Sequence, residues 1–444
     1  MTGCANTPCL RPMPSETQPP KKRLHELPEW LFGSLKKWII FPMIGALIGV
    51  MVIGRMTNWL LGPKAYKIYV VGRFDDESPR QIWGGLSDGS SQLGTLDGVH
   101  LELEKVDDLG DPLNARRVAS EIAHRSDALL VVGHIYSTQT REALPVYLQE
   151  SDPPVPVILT TETNPGLLPP RVKKGIYYPV FRLSPTDDDQ AERAVEYAIS
   201  QGATSFWVVE DISNPVYSSY LAQSFIRQIQ QRHNRVLLWS NTLSIPSADS
   251  IRALKVNWVF FAGNWPNALI LVQQLRAMFA GDHMPGIMLS DGCMDQQLID
   301  TGGSDVSGVY LTHPLKARTS AISNYGIYGK DAVKLIAQMA EESDNRFSSL
   351  AGQHGGLGYF FRRILGLRRV SDARNALIAY MEESVRTGHE FDLTGGDRCQ
   401  FRDDGTRVNA AFHVWTVNGT EFADVLSGGG AAPLTQGADR LTTH

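Results

Sequence analysis

Two stretches run from apolar, strand-like residues straight into hydroxyls: "VVGHIYSTQT" at 131–140 and "ILTTETNPGL" at 158–167. Ser137 and Thr138 stand between a strand pattern and the helix-like "TREALPVYLQE", so their backbone N–H groups would point outward from a helix N-terminus with the hydroxyls alongside. That combination suits a small anion such as a carboxylate. Thr161 and Thr163 stand in the same relation to "NPGLL". The competing explanation is ordinary N-capping, which Ser and Thr supply in many proteins without any functional role.

Other candidate chemistry is weaker. "GLSDG" at 85–89 matches the GxSxG of serine hydrolases, but the nucleophile elbow needs a strand immediately before the serine, and the nearest strand-like run ends well upstream. "YGKDA" lacks the residues of a phosphate-binding loop, no HExxH occurs, and the histidines have no metal-ligand spacing. Cys4, Cys9, Cys293 and Cys399 are too few for a disulfide scaffold and wrongly spaced for zinc. Cys293 and Cys399 are expected to be free, with pairing in an oxidising compartment as the alternative. No enzyme and no cofactor is therefore expected.

The elements that would position these residues show in the hydropathy pattern. Strand-like runs at "YKIYVV", "ALLVVG", "VPVILT", "SFWVVE", "NWVFFAG", "GIMLS" and "GVYLT" alternate with helix-like stretches, the pattern of βαβ units in a parallel sheet. In "DPLNARRVASEIAHR", Asp111 is expected to cap, Pro112 to fill the first turn, and Leu113, Ala115, Val118, Ala119 and Ile122 to form the buried stripe. So many strands suit two α/β lobes better than one sheet. Ligands of such sheets bind at the carboxyl ends of the strands, where the hydroxyl clusters sit.

The 444 residues are 43% apolar and 20% charged, ordinary globular material. The net charge of −5 conceals an asymmetry. Residues 1–64 carry eight Lys/Arg against three Asp/Glu, and the remainder carries 34 against 44, so no nucleic-acid partner is expected. From Trp38 to Gly54 the chain has no charge, and beyond Arg55 the apolar character continues to about residue 61, close to the roughly 20 residues of a bilayer helix. Lys21, Lys22, Arg23, Lys36 and Lys37 precede it, which places the N-terminus in the cytoplasm and the main body outside. A cleaved signal peptide fits less well, because the run is long and late and no small-x-small site follows. The expectation is a single-pass anchor in the inner membrane at 38–61, after a flexible cytoplasmic head at 1–37, with a flexible tail at 427–444.

"VVGHIYSTQTREALPVYLQE", "PVPVILTTETNPGL", "VFRLSPTDDDQA", "YGIYGKDAVKLIAQM" and "FRDDGTRVNAAFHVWTVNG", in that order, resemble the type I periplasmic binding proteins of the branched-chain amino acid family from about 66 to 425. The resemblance implies two Rossmann-like lobes joined by three crossovers near 183, 313 and 403. Lobe 1 would comprise 66–183 with 313–402, and lobe 2 184–312 with 403–426. It also implies that Ser137 and Thr163 take a ligand carboxylate, that the Thr161 backbone carbonyl receives an ammonium, and that Asp291 faces it, although the family more often has glutamate there. Trp83, Tyr217 and Trp265 match aromatics around the ligand side chain, with lobe packing as the alternative. The implied partners are an amino acid or amide and either an ABC permease or a membrane signalling protein. "LAGQHGGLGYFFRRILGLRRVSD" departs from the family pattern. Its Arg362, Arg363, Arg368 and Arg369 among Phe, Ile and Leu suit either a helix packed on its own lobe or a segment resting on an anionic membrane or permease.

Overall fold

The computed structural model describes residues 39–61, 64–168, 179–242, 244–280, 282–314, 325–365 and 367–425, with residues 54, 55 and 57–61 described by backbone alone. The expected head at 1–37 and tail at 427–444 lie outside the described residues.

The alternating pattern resolves into two sheets. The first uses β1 (Ala65–Gly72), β2 (Thr95–Leu96), β3 (Val99–Asp107), β4 (Ala128–Gly133), β5 (Val157–Leu159) and β6 (Val180–Arg182) in the order β2-β3-β1-β4-β5-β6. All its pairs are parallel except β2 with β3. β4 is buried at every residue, because helices cover both faces of a parallel sheet and "ALLVVG" needs no polar side.

The chain then builds β7 (Ser205–Glu210), β8 (Arg235–Asn241), β9 (Trp258–Ala262), β10 (Gly286–Leu289) and β11 (Tyr310–His313). It returns to the first lobe for three helices, Gly326–Asn345, Phe347–Ile364 and Val370–Thr387, and a short pair, β12 (Phe391–Asp392) with β13 (Arg398–Cys399). These helices share one core with the first sheet through Leu335, Leu350 and Leu377. Finally β14 (His413–Asn418) and β15 (Glu421–Asp424) complete a seven-stranded sheet, β15-β14-β11-β10-β9-β7-β8. The chain thus crosses between lobes after Arg182, after His313, and between Cys399 and His413. The first and third crossings are tied together: Arg182 N–H donates to the Gly405 carbonyl at 2.8 Å, and Arg407 N–H to the Arg182 carbonyl at 3.1 Å.

Local signals mostly act as their chemistry dictates. Asp111 caps the helix Pro112–Ala123 by accepting from Asn114 N–H at 2.7 Å, and Ala115, Val118, Ala119 and Ile122 are buried. Leu113 departs from the expected stripe and is 76% exposed. It lies five residues from Val118, about 140° around the helix at 3.6 residues per turn. "GLSDG" lies inside the helix Glu77–Gly89, so Ser87 sits on no strand-to-helix elbow. Its glycines serve packing instead: a Cβ on Gly85 would lie 2.0 Å from the Gly326 carbonyl oxygen, and one on Gly89 2.3 Å from Val333 Cγ1. Cys293 and Cys399 are buried, unpaired thiols.

A helix occupies Phe41–Leu61. Its described side chains face outward, with Phe41 62%, Met43 68% and Ile53 66% exposed. Among the described residues no helix is long and apolar enough to cross a membrane, so the spanning segment expected over 38–61 is not shown.

Candidate ligand-binding site

A cleft of about 410 Å³ opens between the lobes where the strands of both sheets end. From the first lobe come Arg73, Asp75 and Asp76 after β1, Ile135, Tyr136 and Ser137 after β4, and Thr161 after β5. From the second come Asn214 and Tyr217 after β7, Trp265 after β9, and Asp291 after β10. Ser137 opens the helix Ser137–Gln149, and the preceding Tyr136 makes no side-chain cap bond. The first-turn amides therefore lack the usual capping acceptor at the point where the cleft reaches them. Tyr136 instead donates its hydroxyl to Asp76 at 3.0 Å, and Arg73 pairs with Asp75 at 2.9 Å.

Asp291 is the buried anion of the opposite wall. Its carboxylate accepts from the Tyr217 hydroxyl and from Gln190 Nε2 at 2.9 Å, while its backbone carbonyl accepts from the Tyr325 hydroxyl at 2.9 Å. Burial pushes its carboxyl above the ordinary carboxylate range, and the Tyr217 and Gln190 donors oppose that shift. Asp291 thus presents a buried carboxyl fixed by Tyr217 and Gln190, whose charged form a neighbouring cation would stabilise. That suits a cation arriving with a ligand.

Residues 85–420 match the family model described as periplasmic binding protein. The chain belongs to the periplasmic binding protein family. It is 28% identical over 244 residues to a Pseudomonas aeruginosa "Amino acid binding protein", covering 52% of this chain and 62% of that relative. It is 22% identical over 273 residues to the "Leu/Ile/Val-binding protein" of Escherichia coli K12, covering 60% of this chain and 67% of the relative. Its fold is that of a leucine binding protein from Thermotoga maritima, with TM-score 0.64 at 18% identity over 81% of this chain and 97% of the other. All three of these relatives are binding proteins.

Within this periplasmic binding protein, Ser137, Thr161, Tyr217, Trp265 and Asp291 all line the cleft. Thr161 also donates its hydroxyl to the Ile135 carbonyl at 3.0 Å, joining the two strand-end loops. Thr163 and Trp83 do not line it. Thr163 is buried behind the wall, where its carbonyl accepts from Asp187 N–H at 2.9 Å at the first lobe crossing. Trp83 packs on the lobe 1 core with its ring 6.3 Å from Phe74 and the Lys105 ammonium 5.7 Å above it. Helix position decides this outcome: the side chain that follows Ile82 turns toward Phe74, which lies outside the cleft lining although its neighbours Arg73 and Asp75 belong to it.

Several cleft-shaping residues carry no strong sequence signal. Gln190 lies in the quoted "SPTDDDQA", but its bond to a residue 101 positions away is invisible in one dimension. Glu162, between the two threonines, is fully buried and accepts from the Thr160 N–H at 2.7 Å and the Thr161 N–H at 2.9 Å. Burial pushes its carboxyl up to about 7, and these amide donors pull it partly back. His134, at the end of β4, is held between Asp108 at 2.7 Å and the Tyr147 hydroxyl at 3.0 Å, an arrangement that fixes the loop leading to Ser137.

Proposed function

We propose that the chain is a membrane-attached, extracytoplasmic binding protein that captures an amino acid or similar small polar ligand by closure of its two lobes, for delivery to an ABC permease. The observation that carries this reading is the cleft with the open helix start at Ser137 on one lobe and the buried Asp291 carboxylate on the other. An α-amino acid carries both complementary groups on adjacent atoms, so its carboxylate engages the Ser137 end and its ammonium the Asp291 end. A ligand that touches both lobes binds the closed state more tightly than the open one, and closure follows from that difference. The amino-acid-binding relatives support the ligand class, and the outward apolar side chains of the helix Phe41–Leu61 support membrane attachment.

Beyond those two ends the cleft is lined by Arg73, Asp75, Asp76 and Asp295, a poor match for a wholly aliphatic side chain. Calorimetry with the full chain in detergent, against leucine, polar amino acids, amides and short carboxylates, tests the reading. Binding of an α-amino acid that Ser137→Ala and Asp291→Ala both weaken is the expected result. A folded protein that binds nothing in the panel would discard the reading.

A further inference from the structure

We propose that the outer half of the helix Phe347–Ile364, with the turn that follows it, seats lobe 1 on an anionic bilayer surface. This inference rests on the membrane attachment proposed above. Only part of the helix is used by the core. Phe347, Leu350, Ala351 and Tyr359 are buried, whereas Leu357 is 77%, Phe360 57% and Phe361 60% exposed. At Gly356 the backbone leaves helical geometry with φ 52, and two exposed aromatics follow a few residues later. Side chains of this size clustered on a surface mark an interaction site more often than chance exposure.

The charge beside them selects the occupant. Residues 347–371 contain Arg362, Arg363, Arg368 and Arg369 and no Asp or Glu. Neighbouring acids reach only some of these groups. Arg362 donates to Asp372 at 2.9 Å, Arg368 lies 4.0 Å from Asp97, and His354 lies 3.9 Å from Glu382. Arg363 donates to the Tyr359 hydroxyl at 3.1 Å and shares the field of Asp97 with Arg368, and Arg363, Arg368 and Arg369 are all exposed. Apolar side chains that enter the acyl boundary, rimmed by arginines that stay among anionic headgroups, are the makeup of an interfacial segment.

Position in the fold supplies the independent argument. Asp97 and Gly98, beside Arg368, form the turn into β3, and His100 of β3 pairs with Ala65, the first residue of β1. The patch therefore lies at the pole of lobe 1 where the chain enters from the helix Phe41–Leu61. Two residues separate Leu61 from Lys64, which limits their Cα atoms to about 11 Å. The cleft lies at the opposite pole, beyond the far ends of β1, β4 and β5, so this seating belongs to ligand capture and is released when the cleft is presented to the permease. β1 alone spans about 26 Å. An apolar helix end and an apolar, basic patch are thus held at one pole by covalent connection, and a bilayer surface is the partner that accommodates both.

The test uses the full chain with vesicles of zwitterionic lipid and of zwitterionic lipid mixed with phosphatidylglycerol, read by flotation and by hydrogen exchange over 350–369. The proposal expects amide exchange in this segment to slow roughly fivefold or more on anionic vesicles only. It expects Arg363→Gln/Arg368→Gln/Arg369→Gln and, separately, Phe360→Ser/Phe361→Ser to abolish the difference. Flotation with anionic vesicles alone would support the patch while overturning a spanning helix. Flotation with both vesicles and unchanged exchange would overturn the patch and leave the attachment standing. Flotation with neither would overturn both. Equal protection in zwitterionic vesicles, anionic vesicles and detergent would mean the segment docks on protein, and would overturn a lipid partner.

Discussion

Thr138 of lobe 1 donates its hydroxyl to the Asn214 side-chain oxygen of lobe 2 at 2.7 Å, directly across the mouth of the cleft. Each residue belongs to the segment that begins a cleft-lining helix, so this bond ties the two ligand-facing helix starts to each other. The Tyr325 hydroxyl, donated to the Asp291 carbonyl at 2.9 Å, is a second tie between the lobes. Removing one such partly buried hydrogen bond costs about 1 kcal/mol. Thr138→Val is therefore expected to shift the unliganded protein toward the open state and to weaken ligand binding about fivefold. Small-angle scattering and calorimetry check the two effects, and an unchanged radius of gyration with unchanged affinity would remove the bond from the closure mechanism.

Asp291 and Tyr217 separate charge from support. Asp291→Asn keeps the shape of the side chain but removes the anion, and loss of a buried partner to a ligand charge costs about 2–5 kcal/mol of binding. Tyr217→Phe removes only a donor to that carboxylate, so a smaller loss, near 1 kcal/mol, is expected. Titration calorimetry of both variants with the same amino acid decides between them. Equal losses would show that Asp291 serves the wall and not the ligand.

The two tryptophans make an opposed pair. Trp265→Ala is expected to weaken ligand binding, because its ring lines the cleft. Trp83→Ala is expected to lower the thermal midpoint and leave affinity unchanged, since its ring packs on Phe74 and the lobe 1 core. A panel of thermal melts and binding isotherms on both variants reads the contrast. A Trp83→Ala protein that is stable yet fails to bind would contradict this placement.

How far the sequence reveals this molecule depends on the range of each signal. The seven apolar runs named from hydropathy are strands, because a parallel sheet buried on both faces leaves continuous apolar runs. β3 escapes that reading because it lies beside only the two-residue edge strand β2 and its polar and apolar residues alternate, with Glu102, Glu104 and Lys105 all incompletely buried. Ser137 and Thr161 are legible because strand ends are marked locally by the change from apolar to polar residues, whereas Asp291 is reached only through the family resemblance. Gln190 was not legible, because its importance comes from contacts with Asp291 and with Thr312 at 2.8 Å, both over 100 residues away. For Trp83 the residue type leaves ligand wall and lobe packing both open, and the packing on Phe74 comes from helix phase, which one dimension does not show.

Glu162 gives the protein a pH dependence with a definite sign. Burial pushes its carboxyl up to about 7 in the folded chain against the ordinary 4.5 of a glutamate, so the native state holds a proton that the unfolded state has released between those values. Folding stability from this group is therefore complete below about 4.5 and is lost as pH rises through about 7. Glu162→Gln keeps the size and removes the titration, so the variant's thermal midpoint is expected to fall less than that of the native protein between pH 5 and pH 7.5. Because Glu162 accepts from the Thr160 and Thr161 amides and from the Thr140 hydroxyl at 3.2 Å, the substitution also disturbs the loop that carries Thr161. Ligand affinity measured across the same pH range separates the two consequences. A midpoint that changes with pH identically in both proteins would show that Glu162 does not titrate there, and a flattened profile in the variant would assign the dependence to this one buried carboxyl.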